Sequence, residues 1–426
     1  MKTVARVTAR DCQIRSFMRT QIVASVLLLQ LPAFSAVQAQ SASPIPAAKA
    51  AVDTTTGAAA AHAGQAAPDS AAARTRADAA AKAAADTAIG VTFGGWIDTY
   101  YAYDFNRPPG QDHAFTAEVA RHNEFNVNLA YVDATLSGAR VHGRAAIQFG
   151  NAVQANYAAE PRIGSVSGPD VSRFLQEAWA GYKVAPPVWL DAGVFLSSFG
   201  PESFISRDNW TYIRSLVGEN SPTAEAGLRA TLQVNPKWAI QGKVLNGWSI
   251  ISENNHSKSL GWRVDWTPKE GYDIAYDGFL GNEMPDSVPH QLRTWHEAIV
   301  QVKPSAQVQL RGAFDYGQQE RANGDGSAAW RGWSAIARWQ LVPTVAVAAR
   351  GEYYSDPEQV IVATGLPDGF RASGASFDVD VAPIPHFRWR TELHYLHGKD
   401  PLFPTHEAPG VTKNDPLLVT SLGITW

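Results

Sequence analysis

The chain has 426 residues, 36 Lys and Arg against 40 Asp and Glu, and a single cysteine. One cysteine leaves no intrachain disulfide, its position at Cys12 inside the predicted signal leaves the mature chain no cysteine ligand for a metal, and the acidic balance argues against a nucleic-acid partner. No uncharged apolar run approaches the roughly 20 residues that a spanning helix needs, while the mean hydropathy of −0.19 still admits a membrane barrel, in which only alternate strand residues face lipid.

At the N-terminus, Lys2, Arg6, Arg10, Arg15 and Arg19 precede the apolar run Ile22 to Leu31, and Val37-Gln38-Ala39 offers small residues for cleavage. This pattern predicts a Sec signal peptide over residues 1–39, with export across the inner membrane of a Gram-negative cell. Cleavage would remove Cys12, and also five of the 36 basic and one of the 40 acidic residues, leaving 31 against 39. Residues 40–89 are dominated by alanine and contain no large aromatic side chain. Too little apolar surface is available there to offset the entropy of ordering, so a flexible periplasmic segment is expected, with helix propensity near its end. A linker, a peptidoglycan contact and a trimerisation element are the roles open to it.

Residues 90–426 change to alternating apolar and polar positions, interrupted at regular intervals. Short turns fall at Ser137-Gly138-Ala139, Ala185-Pro186-Pro187, Asn235-Pro236-Lys237, Pro268 to Gly271, Pro304-Ser305, Val342-Pro343-Thr344 and Pro383-Ile384-Pro385. Proline cannot donate to a strand ladder and marks where pairing stops. Longer polar stretches separate them, at 105–123, 151–170, 200–221, 249–257, 282–292, 318–329, 356–372 and 398–414. Short turns alternating with long loops predict an all-β fold, a transmembrane antiparallel β-barrel of about 16 strands with short periplasmic turns and long extracellular loops. A propeller shares the repeat length, but a blade has four short strands and three tight connections, which this pattern lacks.

The strands divide by face. Val308, Leu310, Phe314 and Tyr316 alternate with Gln307, Gln309, Arg311 and Asp315, and Phe387, Trp389, Leu393 and Tyr395 with Arg388, Arg390, Glu392 and His394. Buried unpaired ions are costly, so the charged face is expected to meet water, in a lumen or on the outside of a soluble protein, and the signal peptide with the terminal strand favours the lumen. The inferred pore-lining set is Asp98, Arg144, Arg229, Lys243, Arg263, Asp265, Asp277, Arg311, Asp315, Arg350, Glu352, Arg388, Arg390 and Glu392. Its basic lean over 311–390 predicts a weak preference for anions. The 200–221 stretch, with Glu202, Arg207, Asp208, Trp210, Tyr212 and Arg214, is the candidate constriction loop; an external loop packed on its neighbours is the other reading. Trp189, Trp238, Trp266, Trp339 and Trp426 lie near short turns or the chain end, where an aromatic girdle is expected.

The last stretch, Asp415 to Trp426, alternates Leu418, Leu422, Ile424 and Trp426 with Val419, Ser421, Gly423 and Thr425. A closed barrel needs such a strand to pair with its first, and a terminal aromatic residue resembles the signal read by the barrel-assembly machinery. The first strand and loop carry Gly94, Gly95, Trp96, Asp98, Tyr100, Tyr101, Tyr103, Asp104, Phe105, Asn106, Arg107 and Pro108, followed by His122 to Thr135 and by Phe199 to Leu216. In these stretches the chain resembles the putative β-barrel porin-2 family, the OmpL-like outer-membrane porins. The resemblance implies a channel in outer-membrane lipid without fixing a solute; Trp426 stands where phenylalanine is commoner.

Enzymatic motifs are lacking. His394 and His397 point to opposite strand faces, and His296-Glu297 and His406-Glu407 lack a helical HExxH frame. No G-x-S-x-G elbow occurs, so neither catalysis, a metal nor a cofactor is expected. The expected function is a porin for passive diffusion of small hydrophilic solutes or ions through a mixed-charge lumen, in a chain that can form a homotrimer. A substrate-selective uptake channel and a structural or adhesive barrel without an open pore are the alternatives.

Overall fold

The computed structural model describes residues 87–407 and 410–426, with Thr75 and Asp78. The predicted signal peptide lies outside the described residues, as does nearly all of the Ala-rich segment. Strands β1 (Ile89–Asp104), β2 (Phe125–Gly138), β3 (Val141–Phe149), β4 (Leu175–Ala185), β5 (Val188–Leu196), β6 (Ala224–Asn235), β7 (Trp238–Leu245) and β8 (Ser259–Lys269) form one half of the wall. The other half is β9 (Tyr272–Asn282), β10 (Leu292–Val302), β11 (Val308–Glu320), β12 (Ser327–Val342), β13 (Val345–Asp356), β14 (Phe370–Ile384), β15 (Phe387–Gly398) and β18 (Asn414–Thr425). Each pairs antiparallel with its sequence neighbour, and β18 closes the sheet onto β1 from Trp96↔Thr425 to Asp104↔Leu417. The result is a closed 16-strand barrel.

The turn residues explain the two unequal rims. Tight connections with proline or glycine join β2–β3, β4–β5 and the successive hairpins at one rim, and the opposite rim carries the loops. These are L1 (105–124), L2 (150–174), L3 (197–223), L4 (246–258), L5 (283–291), L6 (321–326), L7 (357–369) and L8 (399–413). L6 is shorter than the 318–329 expected, because β11 and β12 keep pairing as far as Glu320↔Ser327. L2 holds two short helices, α1 (Asn151–Asn156) and α2 (Pro169–Ser172); L3 holds a 3-10 turn at Ser206–Asp208 and α3 (Leu216–Glu219); L8 holds the small hairpin β16 (Phe403–Pro404) and β17 (Val411–Thr412).

Alternation separates the faces as a pleated strand requires. Leu310, Phe314, Tyr316, Phe377, Leu393, Tyr395, Leu418 and Leu422 are exposed on the outer surface, an apolar band that suits lipid. Trp238, Trp266, Trp339 and Trp426 are exposed near the short-turn rim, and Trp238 stacks on Trp266 across the β7–β8 pair with centroids 5.2 Å apart. Trp189 departs from the expected girdle. Its ring stacks on His142 at 3.9 Å and takes Lys183 over its face, because position 189 shares the inward parity of Asp191.

The interior corrects the expectation of a lumen lined throughout by hydrated charge. Its long-loop half holds an apolar cluster that includes Phe195, Phe199, Trp248, Phe279, Trp295, Trp330, Tyr354, Phe370 and Phe403. Strand residues and residues of L3, L4, L7 and L8 contribute together, so the loops fold inward and fill that half of the barrel.

Candidate functional site

L3 organises the interior. Its backbone is mostly irregular, so its N–H and C=O groups find no ladder and need other partners once water is excluded. The inward charges of the wall supply them. Glu297 on β10 accepts from the Gly200 N–H at 2.9 Å, Glu392 on β15 from the Ile213 N–H at 2.8 Å, and Glu352 on β13 from the Leu216 N–H at 2.6 Å. Guanidinium groups complement them by donating to carbonyls: Arg263 to Ser198 at 2.7 Å, Arg311 to Pro201 at 2.6 Å, Arg390 to Ser206 at 2.6 Å and Arg350 to Ile213 at 2.5 Å. Arg388 donates to the Arg207 carbonyl, and Lys243 to Ser198 Oγ at 2.6 Å. Asp98 on β1 accepts from Ser206 Oγ at 2.7 Å and from the Tyr212 hydroxyl at 3.1 Å, which ties the far side of the loop to the opposite wall. The loop crosses the whole lumen.

All fourteen charged positions inferred from alternation lie on the interior side, and L3 divides them into two groups. Asp98, Lys243, Arg263, Arg311, Arg350, Glu352, Arg388, Arg390 and Glu392 hold the loop, as above. Arg144, Arg229, Asp265, Asp277 and Asp315 bond within the wall: Arg144 to Asp133 and Glu177, Arg229 to Asp191 at 3.0 Å, Asp265 and Asp277 to Arg263 at 2.8 Å each, and Asp315 to the Trp295 indole N–H at 3.3 Å. Arg350, Glu352 and Glu392 have side chains 0% exposed, so ion pairing and peptide dipoles take the place of water around them.

The six loop residues also divide. Glu202 accepts from the Ser215 N–H at 2.7 Å, Tyr212 reaches Asp98, and Arg214 pairs with Glu219 and with Glu118 of L1, both at 2.8 Å; these three are buried. Arg207 and Asp208 keep 29% and 35% of their side chains exposed, and Trp210 is half-buried beneath Arg311, 4.4 Å from its ring centroid. Arg207 and Asp208 border a cavity of about 130 Å³ at the short-turn end, with Trp96, Phe387, Arg388 and Thr425. Among the inward arginines, Arg388 is 30%, Arg338 19%, Arg229 15% and Arg144 14% exposed, so the solvent-reached part of the lumen is rich in guanidinium groups.

Some interior groups escaped the sequence reading. Asp378 and Asp380 face inward on β14, and Asp380 pairs with Arg388 at 3.4 Å and Arg390 at 3.5 Å, which offsets much of the basic lean of 311–390. The alternating Phe377-Asp378-Val379-Asp380 carried the signal. Asp104, His113 and Asp415 come together where β1, L1 and β18 meet, with His113 Nε2 2.9 Å from Asp415. His113 and Asp415 are 302 residues apart in sequence, and no local pattern announces their contact.

A family model described as putative beta-barrel porin-2, OmpL-like, matches residues 90–426. No curated protein matches the chain. Among solved structures it is similar to the outer membrane channel DcaP of Acinetobacter baumannii, at 10% identity over 79% of this chain and 97% of that one, with a TM-score of 0.53. An anion-selective porin from Comamonas acidovorans aligns over 80% of this chain and 100% of its own at 10% identity and TM-score 0.52. OmpT of Vibrio cholerae, in a trimer form, aligns over 80% and 100% at 9% identity and TM-score 0.50. Similarity at this level of identity speaks to the fold.

Proposed function

Because the chain belongs to the putative beta-barrel porin-2, OmpL-like family, we propose that it admits small hydrophilic solutes by passive diffusion, with passage controlled where L3 crosses the lumen. The protein is an outer-membrane porin, of a family and fold that form channels rather than enzymes. The observation that carries the finer reading is the attachment of L3 to inward charges on β1, β8, β10, β11, β13 and β15, which leaves Arg207, Asp208 and Trp210 on its wetter side. A filled long-loop half restricts passage to small solutes.

Weak anion preference is part of this reading. The solvent-reached guanidinium groups of Arg144, Arg207, Arg229, Arg338 and Arg388 outnumber the solvent-reached carboxylates of Asp208 and Asp265 in the field an ion meets. One structural neighbour is described as an anion-selective porin, and one was solved as a trimer, in keeping with weak anion preference and homotrimeric assembly here. Export by the Sec signal and recognition of the strand ending at Trp426 by the barrel-assembly machinery complete the proposal. Reversal potentials across a salt gradient in a planar bilayer test it: channels with a small anion bias are expected, and a protein that inserts without conducting would refute it.

A further inference from the structure

A second cavity, of about 180 Å³, lies at the long-loop end between L2, L4, L5 and L7. The L4 residues bounding it, from Ser249 to Asn254, are half-buried or more exposed, so it communicates with solvent. Arg293 on β10 lines it and is 6% exposed, yet among the described residues it forms no ion pair. Its Nε and Nη2 both donate to the Gln319 side-chain oxygen, at 2.9 and 2.7 Å, while Nη1 donates no hydrogen bond. The rings of Trp248 and Trp330 lie 5.6 and 5.9 Å from its guanidinium carbon. The nearest opposite charges to Arg293, Glu283 and Asp356, act on it from beyond ion-pair distance, whereas each of the other deeply buried cations among the described residues, Lys243, Arg214, Arg263, Arg350 and Arg390, has a carboxylate within that distance. Arg293 has hydrogen-bonding capacity for an anionic group from outside.

The same cavity carries two carboxylates. Glu160 accepts from the N–H groups of Ile251 and Ser252 at 3.0 and 2.8 Å, and Glu283 from the Trp248 N–H at 2.6 Å and Ser259 Oγ at 2.9 Å. These bonds fix L4 and hold both carboxylates still, and a carboxylate with about four lone-pair positions retains room for a further donor. One cation with two anions disfavours a simple anion and suits a molecule that brings both signs, with Trp248 as an apolar wall for its carbon atoms.

We propose that this cavity binds a small zwitterion of the amino-acid type, its carboxylate on Arg293 and its ammonium on Glu160 and Glu283. The consequence for transport, a solute captured before it reaches L3, rests on the porin reading; binding itself does not.

Calorimetric titration of the full chain, purified in detergent, with L-alanine, acetate and ethylammonium tests the site. L-alanine is expected to bind saturably and at least about tenfold more tightly than either single-charge probe, since two charge-assisted contacts replace one. Arg293→Gln should weaken L-alanine by about tenfold or more, with Arg293→Lys between the two. Acetate binding as tightly as L-alanine, or unchanged affinity in a folded Arg293→Gln protein, overturns the proposal. Where that variant fails to fold, the three probes on the unaltered protein decide alone, and absence of saturable L-alanine binding overturns it. Conductance recorded in parallel separates the two readings: binding without conductance removes the porin reading and supports the site, and conductance without binding removes the site only.

Discussion

Glu352, on strand β13, accepts the backbone N–H of Leu216 at 2.6 Å across 136 residues of sequence, and its other oxygen takes Arg350 Nε at 3.2 Å. His394 on β15 approaches the same carboxylate at 3.1 Å. One buried acid therefore joins two strands of the wall to the start of α3 in L3. Substituting Glu352→Ala strands the Leu216 N–H and removes the nearest anion from Arg350. Arg350 keeps Glu392 at 3.6 Å and Glu202 at 3.8 Å, so the cost stays below about 3–5 kcal/mol, that of a buried charge left with no counterion. The barrel should survive on its ladders while L3 loosens. Single-channel recordings should show larger and noisier openings than the parent; indistinguishable traces would mean that L3 does not control passage.

Ion preference should respond to the exposed arginines rather than the buried ones. Arg207→Glu with Arg388→Glu replaces two charges at the short-turn cavity that keep roughly a third of their surface in water. Reversal potentials should shift from weakly anion-selective toward cation-selective, and more so at low salt, where screening is weaker. An unmoved reversal potential would take both residues off the permeation route.

Stability at the seam should depend on pH through His113. Burial lowers its proton affinity, but Asp415, Asp104 and Glu219 outweigh that effect and raise its pKa above the usual 6.5. His122, whose Nδ1 accepts the Asp104 N–H, is the other titratable group close by. A folded-state pKa above the unfolded one gives a contribution complete below about pH 6.5 and lost as pH rises through the raised value. The protein should thus resist thermal unfolding better at mildly acidic than at alkaline pH, and His113→Gln should flatten the difference. A variant with the parent's full pH dependence would place the effect elsewhere.

Barrel closure should fail when the seam is crowded. Gly423 on β18 faces the Trp96 ring, and Gly95 on β1 faces the Trp426 ring, each so close that an added Cβ would collide with indole. Gly423→Leu and Gly95→Leu should therefore lower the yield of heat-modifiable, folded barrel. Trp426→Asp should do so as well, by removing the terminal aromatic residue from the outer surface. Normal assembly of Gly423→Leu would show that the seam can repack.

Much of this was legible because it is local. A period of two sets which strand residues share a face, and Pro or Gly at positions such as Asn235-Pro236-Lys237 sets where pairing stops, so strand number, rim asymmetry and the inward parity of Arg350, Glu352 or Arg390 follow from neighbours in the chain. Parity says only which way a side chain points. Whether Arg350 meets water or the Ile213 carbonyl depends on where a loop 137 residues away in sequence comes to rest, and that placement is decided by the summed contacts of many strands at once. For the same reason Trp295 and Trp330, on the same inward parity as Glu297 and Ser334, became an apolar core instead of a pore wall once L3, L4, L7 and L8 folded over them. Local pattern is enough for a barrel with a charged inner face; long-range packing settles which of those charges hold a loop, which remain in water, and which, as at Arg293, have no carboxylate within ion-pair distance.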